Sequence, residues 1–313
     1  MIKTPFVSIV VLNYNGMHLL KECLDSLYET IYPQDKIRII VVDNASSDGS
    51  EAFIKNNYPE VKIVKSKKNI GVVANNLGVE FAINKLKSEY VVLLNNDVVV
   101  KRDWLSELVK VAESDTSIGA CGPTVLNSDG TVQSLGGTVD PLGTPCLIIQ
   151  HKTNGVVDVS WVSACCILLR SEAIKKLEYL VDQRFFIFYD EIDYCWRLKY
   201  QGYKTVFVPK SHVTHKGSKT IKIGNKKYNR FIMEHYKNKI LTFKKNFRTP
   251  LRQMFLIPIF LTTLFLTSYW ALRNQWGYGI SILNYFFIKE KQTRGLDKIS
   301  LKRQLSLFDC KIL

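Results

Sequence analysis

Short apolar runs and helical-period segments alternate along the first hundred residues, separated by turn formers. Val7 to Leu12 reads as a buried strand, Leu19, Leu20, Cys23, Leu24 and Leu27 recur at helical spacing, and Ile37 to Val42 is a second strand. Asp43 to Gly49 is a turn-rich loop, Ser50 is placed to cap the helix that follows, and Val61 to Val64 gives a third strand. After the loop at Asn69 to Gly71, the spacing predicts a helix over 72–86. The run YVVLLNNDVVV, Tyr90 to Val100, then combines strand-forming residues with Asn95, Asn96 and Asp97. A strand this apolar is buried on both faces, so its polar end belongs at the sheet's carboxyl edge, where open parallel α/β sheets bind ligands. Repeated β-α-β units predict a parallel, nucleotide-binding type of half.

The pattern changes further along. Cys121 to Asp158 is rich in Gly, Thr, Pro and Asp, which predicts loops and short antiparallel strands, and Val159 to Leu169 returns to strand character. From Phe185 aromatic residues lead into Asp190, Glu191 and Asp193, then into a helix carrying Cys195, Trp196 and Leu198, then the strand TVFVP. This order predicts an acidic cluster at a helix start, facing the same edge as Asp97.

Charge divides the chain. The net charge is +15, but residues 199–313 alone carry 23 Lys/Arg against 4 Asp/Glu, a net of +19. Such asymmetry implies attraction to a polyanion, either nucleic acid or an anionic membrane surface. The uncharged runs from Met254 to Leu272 and from Trp276 to Ile288 favour the membrane. Pro258 inside the first run and positive charge on both sides of it argue for helices lying in the interface rather than spanning the bilayer. No cleavable leader is visible before the first strand, so the catalytic part is expected in the cytoplasm, on the inner face of the membrane. The seven cysteines form no CxxC pair and read as reduced, mostly buried thiols without a metal.

An acid at a sheet edge, able to hold a divalent cation against phosphate, points to a nucleotide-diphosphate enzyme. The segments VSIVVLNYNG, VVDNASSDGS, NIGVVANNLG, LLNNDV, FFIFYDEIDYCWRLKYQGY and VPKSHVTHKGS, in this order and spacing, resemble family 2 glycosyltransferases, especially the rhamnosyltransferase-like branch. The resemblance covers roughly residues 5–220. It implies an α/β GT-A fold, Rossmann-like, with a nucleotide-binding half at about 1–100 and an acceptor half at about 101–220. Residues 221–313 would then be a C-terminal helical, membrane-associating extension.

The resemblance also assigns roles. Asp97 takes the last position of the family's D-x-D motif, where a carboxylate holds Mg2+ or Mn2+ on the sugar-nucleotide diphosphate. Asn95 stands where many relatives have Asp, and His215 matches a C-terminal metal-binding histidine. Glu191 aligns with the catalytic base, flanked by Asp190 and Asp193. For Asp193 an ion pair with Arg197 at i+4 is the competing role. Asp43 resembles the contact to the nucleoside base, with Asn13 and Asn15 in the loop after the first strand. Asn44 belongs to the same region, where shaping the loop is an equal reading. Asn69 and Gly71 resemble a loop near the nucleotide, Asn76 the sugar side and Asn96 the ribose side. Part of KGSKTIKIGNKKYNR is expected either as a flap over the diphosphate or as a solvated basic face.

The expected activity is metal-dependent, inverting transfer of a sugar, rhamnose being one candidate, from a dTDP- or UDP-sugar to a polysaccharide or lipid-linked glycan. A sugar-phosphate nucleotidyltransferase is the competing enzyme class, and VLNYNGMHLL lacks the Gly-rich, basic triphosphate loop that class needs. A nucleic-acid-binding protein would interleave aromatics with basic residues, whereas here the C-terminal aromatics cluster in uncharged runs, so no nucleic acid is expected as partner.

Overall fold

The computed structural model describes residues 4–140, 143–150, 155–217, 226–273 and 275–289, with isolated positions between 292 and 307. Its first half runs β1 (Val7–Asn13), α1 (Met17–Tyr28), β2 (Ile37–Asp43), α2 (Ser50–Asn57), β3 (Lys62–Lys65), α3 (Asn75–Glu80) and β4 (Tyr90–Asn95). β1 pairs parallel with both β2 and β4, and β2 with β3. The second half adds β5 (Val98–Val100), α4 (Trp104–Ser114), β6 (Ile118–Leu126), β7 (Val132–Ser134), β8 (Gly137–Val139), β9 (Pro145–Leu147), β10 (Val157–Asp158), β11 (Cys166–Arg170) and α5 (Ser171–Lys175). It closes with α6 (Asp190–Tyr200), β12 (Lys204–His215), α7 (Lys226–Asn246), α8 (Leu251–Ala271) and α9 (Trp276–Phe287).

The main sheet has the order β10-β12-β6-β11-β4-β1-β2-β3, with β5 on β12 and β7 on β6. β11 runs antiparallel to β4 and β6, so the sheet is mixed rather than parallel throughout. Side chains alternate through it with period two. Val7, Ile9 and Val11 pack with α1 and α4 on one face, whereas Val10, Val91 and Leu93 join the core on the other, around Trp196.

Three local expectations change. Residues 72–86 do not form one helix: a 3-10 turn at Gly71–Ala74 leads into α3, and Phe81–Lys85 is a π-turn. Ser50 is the first residue of α2 rather than its cap. The Asp48 carboxylate accepts from the Ser50 N–H at 3.1 Å and from the Met17 N–H at 2.8 Å, so one acid serves the starts of α1 and α2. The strand expected over 159–169 begins only at Cys166.

A division at residue 220 does not separate two cores. Ile240, Leu241, Phe243 and Phe247 of α7 are fully buried in the same cluster as Trp196 and the sheet. The Phe243 and Phe247 rings meet Trp196 edge-on at 5.5 and 5.3 Å. α8 continues this packing with Leu251, Phe255, Ile259, Thr263 and Trp270, while its opposite face stays uncovered: Ile257, Leu261 and Phe265 are exposed, as is Leu272 just past its end, by 90%. Among the described residues α8 is the one helix long and apolar enough to cross a membrane.

Candidate active site

The carboxyl edge gathers the polar ends of three neighbouring strands. Register pairs Asn13 with Asp43 and Leu12 with Asn95, so β1, β2 and β4 end level with one another. The Asn13 side chain lies between Asn96, whose Nδ2 donates to its Oδ1 at 2.7 Å, and Ser46, whose Oγ accepts from its Nδ2 at 3.2 Å. Gly16 allows this closeness, because a Cβ there would stand 2.1 Å from Asn96 Nδ2. Asn15 adopts a left-handed φ of 49° and accepts the Ser47 N–H at 2.8 Å. Asp43 is buried, with its carboxylate turned toward the Ser46 N–H at 3.3 Å. These groups form a continuous polar wall at the end of the sheet.

A second wall comes from the loop before α3. Asn44 donates to Asn69 Oδ1 at 3.0 Å and to the Gly71 carbonyl at 3.1 Å, and its own Oδ1 accepts the Ile70 N–H at 3.0 Å. Asn44 and Asn69 therefore shape the loop. Gly71 sits at φ +64° with the Phe186 carbonyl where a Cβ would project, and the Val72 N–H donates to that carbonyl at 2.9 Å. This contact ties the first half to the segment that carries the acids. Asn76 lies apart from the wall: its amide clamps the main chain of Val181, donating at 2.7 Å and accepting at 2.9 Å.

Asp97 follows β4, and the antiparallel pairing of β5 with the end of β12 sets Val98 opposite His215. His215 Nε2 lies 3.3 Å from Asp97 Oδ1, while Nδ1 faces Gln133 Oε1 at 2.8 Å. The pair is close enough for an ion pair, yet Asp97 Oδ1 is buried without a hydrogen-bond partner. The two groups face one another without a well-aligned N–H between them. A carboxylate oxygen and an imidazole nitrogen so placed suit a shared divalent cation. Among the described residues no three His, Cys, Asp or Glu side chains converge on one point.

The acids of α6 follow a strained turn. Phe188 and Tyr189 both have left-handed φ, 70° and 66°, which side chains other than glycine rarely adopt. The Asn238 amide of α7 holds the turn by donating to the carbonyls of Ile187 and Phe188, and the Tyr189 hydroxyl donates to the Gly143 carbonyl at 2.8 Å. Burial first, and then the charge of Glu191, drives Asp190 well above the usual carboxylate range, and one of its oxygens is buried without a partner. Burial also raises Glu191. Asp190 is the more deeply buried of the two.

Asp193 has a different setting from its neighbours. Its oxygens receive Arg197 Nε at 2.9 Å, Lys245 Nζ at 3.0 Å and Asn246 Nδ2 at 2.8 Å, all buried. Burial pushes this carboxyl up, but Arg197, Lys245 and Asn246 outweigh it and hold it below its ordinary range. Asp193 thus belongs to a buried network between α6 and α7, with both of its oxygens engaged by those cations and that amide.

Cys165 relates the two centres. Its carbonyl accepts the Asn95 N–H at 3.0 Å. Its thiol is pushed up to about 12 by burial and then by the nearby negative charges of Asp97 and Glu191. Both acids thus lie within electrostatic reach of one side chain. The six described cysteines are all free thiols, and Cys310 lies outside the described residues. So do residues 218–225 of the basic segment.

Sequence pattern does not reveal Gln133, Asn238 or Lys245. Their side chains act on residues far away in the chain, and α7 reads from sequence as the start of a separate basic region.

The family model for Glycosyl transferase family 2 matches residues 8–178. The low-salt glycan biosynthesis hexosyltransferase Agl10 of Haloferax volcanii is 27% identical over 202 residues, covering 62% of this chain and 61% of that protein. The N-acetylglucosaminyl-diphospho-decaprenol L-rhamnosyltransferase of Mycobacterium tuberculosis is 24% identical over 244 residues, covering 68% of this chain and 76% of that enzyme. Against two longer relatives, the chain spans only 24% and 17% of their length. Among solved structures, the mannosyltransferase PcManGT from Pyrobaculum calidifontis in complex with GDP-Man and Mn2+ aligns with a TM-score of 0.56 at 18% identity, over 97% of this chain and 79% of that one. The likeness shows a shared GT-A-like α/β fold. With more than half of its length matched by the family model, the chain belongs to glycosyl transferase family 2.

Proposed function

We propose that this chain transfers a sugar from a nucleoside-diphosphate donor to an acceptor hydroxyl with inversion at the anomeric carbon. The supporting observation is geometric: β1, β2 and β4 end together at one sheet edge in Asn13, Asp43 and Asn95, Asp97 follows there facing His215, and the Val72 N–H bond to the Phe186 carbonyl ties the turn before Glu191 to the same half. The acceptor oxygen attacks C1 as the bond from C1 to the diphosphate oxygen breaks. The Glu191 carboxylate takes the hydroxyl proton, and no covalent enzyme intermediate is needed. Asp97 and His215, with Asn95 beside them, would hold Mg2+ or Mn2+, which offsets charge on the departing diphosphate. Asn13, Asn15, Asp43 and Asn96 form the wall for the nucleoside, while Asn44, Asn69 and Gly71 hold the adjoining loop in shape. Asp190 stays neutral beside the base, and Asp193 and Asn76 act through the fold.

The Mycobacterium relative's name supports rhamnose as the donor sugar and a lipid-linked glycan as the acceptor. The PcManGT complex supports manganese beside a nucleotide sugar. The uncovered apolar face of α8, together with the positive charge of residues 199–313, supports a seat on the inner face of the cell membrane.

The test is a panel of dTDP-, UDP- and GDP-sugars offered with Mn2+ and lipid-linked acceptors. Release of nucleoside diphosphate only with acceptor, and an inverted linkage in the product, is expected. Pyrophosphate formed from a nucleoside triphosphate and a sugar phosphate would overturn the reading, as would undiminished transfer by Glu191→Gln.

A further inference from the structure

Which nitrogen of His215 carries the ring proton determines whether Nε2 can offer a lone pair beside Asp97. Its neighbours give an answer. Gln133 Oε1 faces Nδ1 at 2.8 Å, and this amide is not free to turn, because Gln133 Nε2 donates to Asn127 Oδ1 at 3.1 Å. Asn127 is fixed in turn: its Nδ2 donates to Thr131 Oγ1 at 2.9 Å. The Thr131 hydroxyl donates to Asp129 Oδ1 at 2.6 Å, and the same oxygen accepts the Thr131 N–H at 2.9 Å. Those two bonds, the hydroxyl's first, hold Asp129 below the ordinary carboxylate range. An ionised carboxylate can only accept, so the direction of every bond follows from Asp129. Each donor points toward Asp129 and each acceptor toward His215.

The scaffold for this chain of bonds is a tight turn. The Asn127 N–H donates to the Thr131 carbonyl at 2.8 Å, Gly130 turns the chain at φ +83°, and Gln133 then lies on β7 beside the end of β6. The turn joins two adjacent strands of the main sheet.

We propose that Asp129, Thr131, Asn127 and Gln133 form a directional relay that fixes His215 in its Nδ1–H tautomer and presents a bare Nε2 to Asp97. Free histidine in water prefers the other tautomer, with the proton on Nε2. The relay reverses that preference and builds one half of a cation site before any cation arrives. The relay must hold against Asp97 Oδ1, 3.3 Å from Nε2, which by itself favours a proton on Nε2. Gln133 and Asn127 are positioning residues that act by orienting one ring. This inference rests on the proposed metal role of His215, but the tautomer can be read without metal or substrate.

The test uses the full chain labelled with 15N-histidine, free of metal and at alkaline pH. Long-range 1H–15N spectra, with the His215 signal assigned by its loss in His215→Ala, are expected to show Nδ1 protonated. Asn127→Ala and Gln133→Leu should move the signal toward Nε2–H, while Gln133→Glu, which retains an acceptor, should keep Nδ1–H. Thermal melts establish that each variant is folded. Nε2–H in the unaltered protein, or an unchanged tautomer in both Asn127→Ala and Gln133→Leu, overturns the relay. Mn2+ titration in the presence of nucleoside diphosphate, followed by electron paramagnetic resonance, should show about 10–100-fold weaker binding in Gln133→Leu. A protein with the expected tautomer that binds no Mn2+ would leave the relay supported and the metal role refuted.

Discussion

Lys245 on α7 stands 3.0 Å from Asp193 on α6 and 2.7 Å from Asp182, with the three side chains almost wholly excluded from water. Breaking a buried ion pair strands the partner's charge. Lys245→Met is therefore expected to lower unfolding free energy by about 3–5 kcal/mol, measured by urea titration. The pH signs differ for the two partners. Asp193 is depressed, so its contribution is present above its unfolded value, about 3.9, and is lost as pH falls through the lower folded value. For Lys245 burial acts downward, but Asp193, Asp182 and Tyr179 together outweigh it and raise the amine. That contribution holds below the unfolded value, about 10.4, and disappears as pH climbs through the folded one.

Glu191→Gln should reduce kcat by about 10²–10⁴-fold, the usual effect of removing a general base. Because burial raises Glu191, the acid limb of kcat/KM should lie above the ordinary glutamate value of about 4.3. Asp190→Asn preserves a neutral group in the same space and is expected to retain most activity, whereas Asp190→Ala should lose it. Equal losses in both variants would show that Asp190 is not held neutral.

Chelation should stop transfer, and added Mn2+ should restore it. In Asp97→Ala and His215→Ala the restoring concentration should rise steeply, or restoration should fail. Activity indifferent to chelator would remove Asp97 and His215 from any metal role.

Gly71→Ala meets two obstacles, the left-handed backbone and the Phe186 carbonyl, which would lie 2.0 Å from the new Cβ. A loss of about 1–3 kcal/mol in stability is expected, with the 185–189 turn displaced and turnover reduced. A melting temperature equal to the parent's would mean that the turn gives way easily.

Phe265→Glu and Leu261→Glu on the uncovered face of α8 should release the chain from vesicles containing anionic lipid while leaving its melting temperature unchanged. Co-sedimentation equal to the parent's would rule out this face as the membrane contact. Phe255→Glu, on the buried face, should instead impair folding.

The carboxyl edge was legible from residues alone, since apolar strands ending in Asn13, Asp43 and Asn95 need a parallel sheet to bury them, and register brings those ends level. The acids at the start of α6 were equally plain. The i+4 spacing already offered Asp193 a partner in Arg197, but it did not show Lys245, 52 residues along the chain. The same distance conceals Asn238 beneath Phe188, and Gln133 beside His215. The interruption of 72–86 was hidden for another reason: a π-turn keeps the apolar residues near helical spacing while changing which carbonyl each N–H meets.

α7 grips the turn before Glu191 through Asn238, supports α6 through Lys245, and then passes directly into α8 with its bare apolar side. For a protein resting on lipid by that side, the altitude of the reactive carboxylate above the headgroups is set by a rigid strut rather than a tether. On the proposed reading, the target hydroxyl would then be selected partly by stature: a glycan too short or too long on its anchor would miss, whatever its stereochemistry.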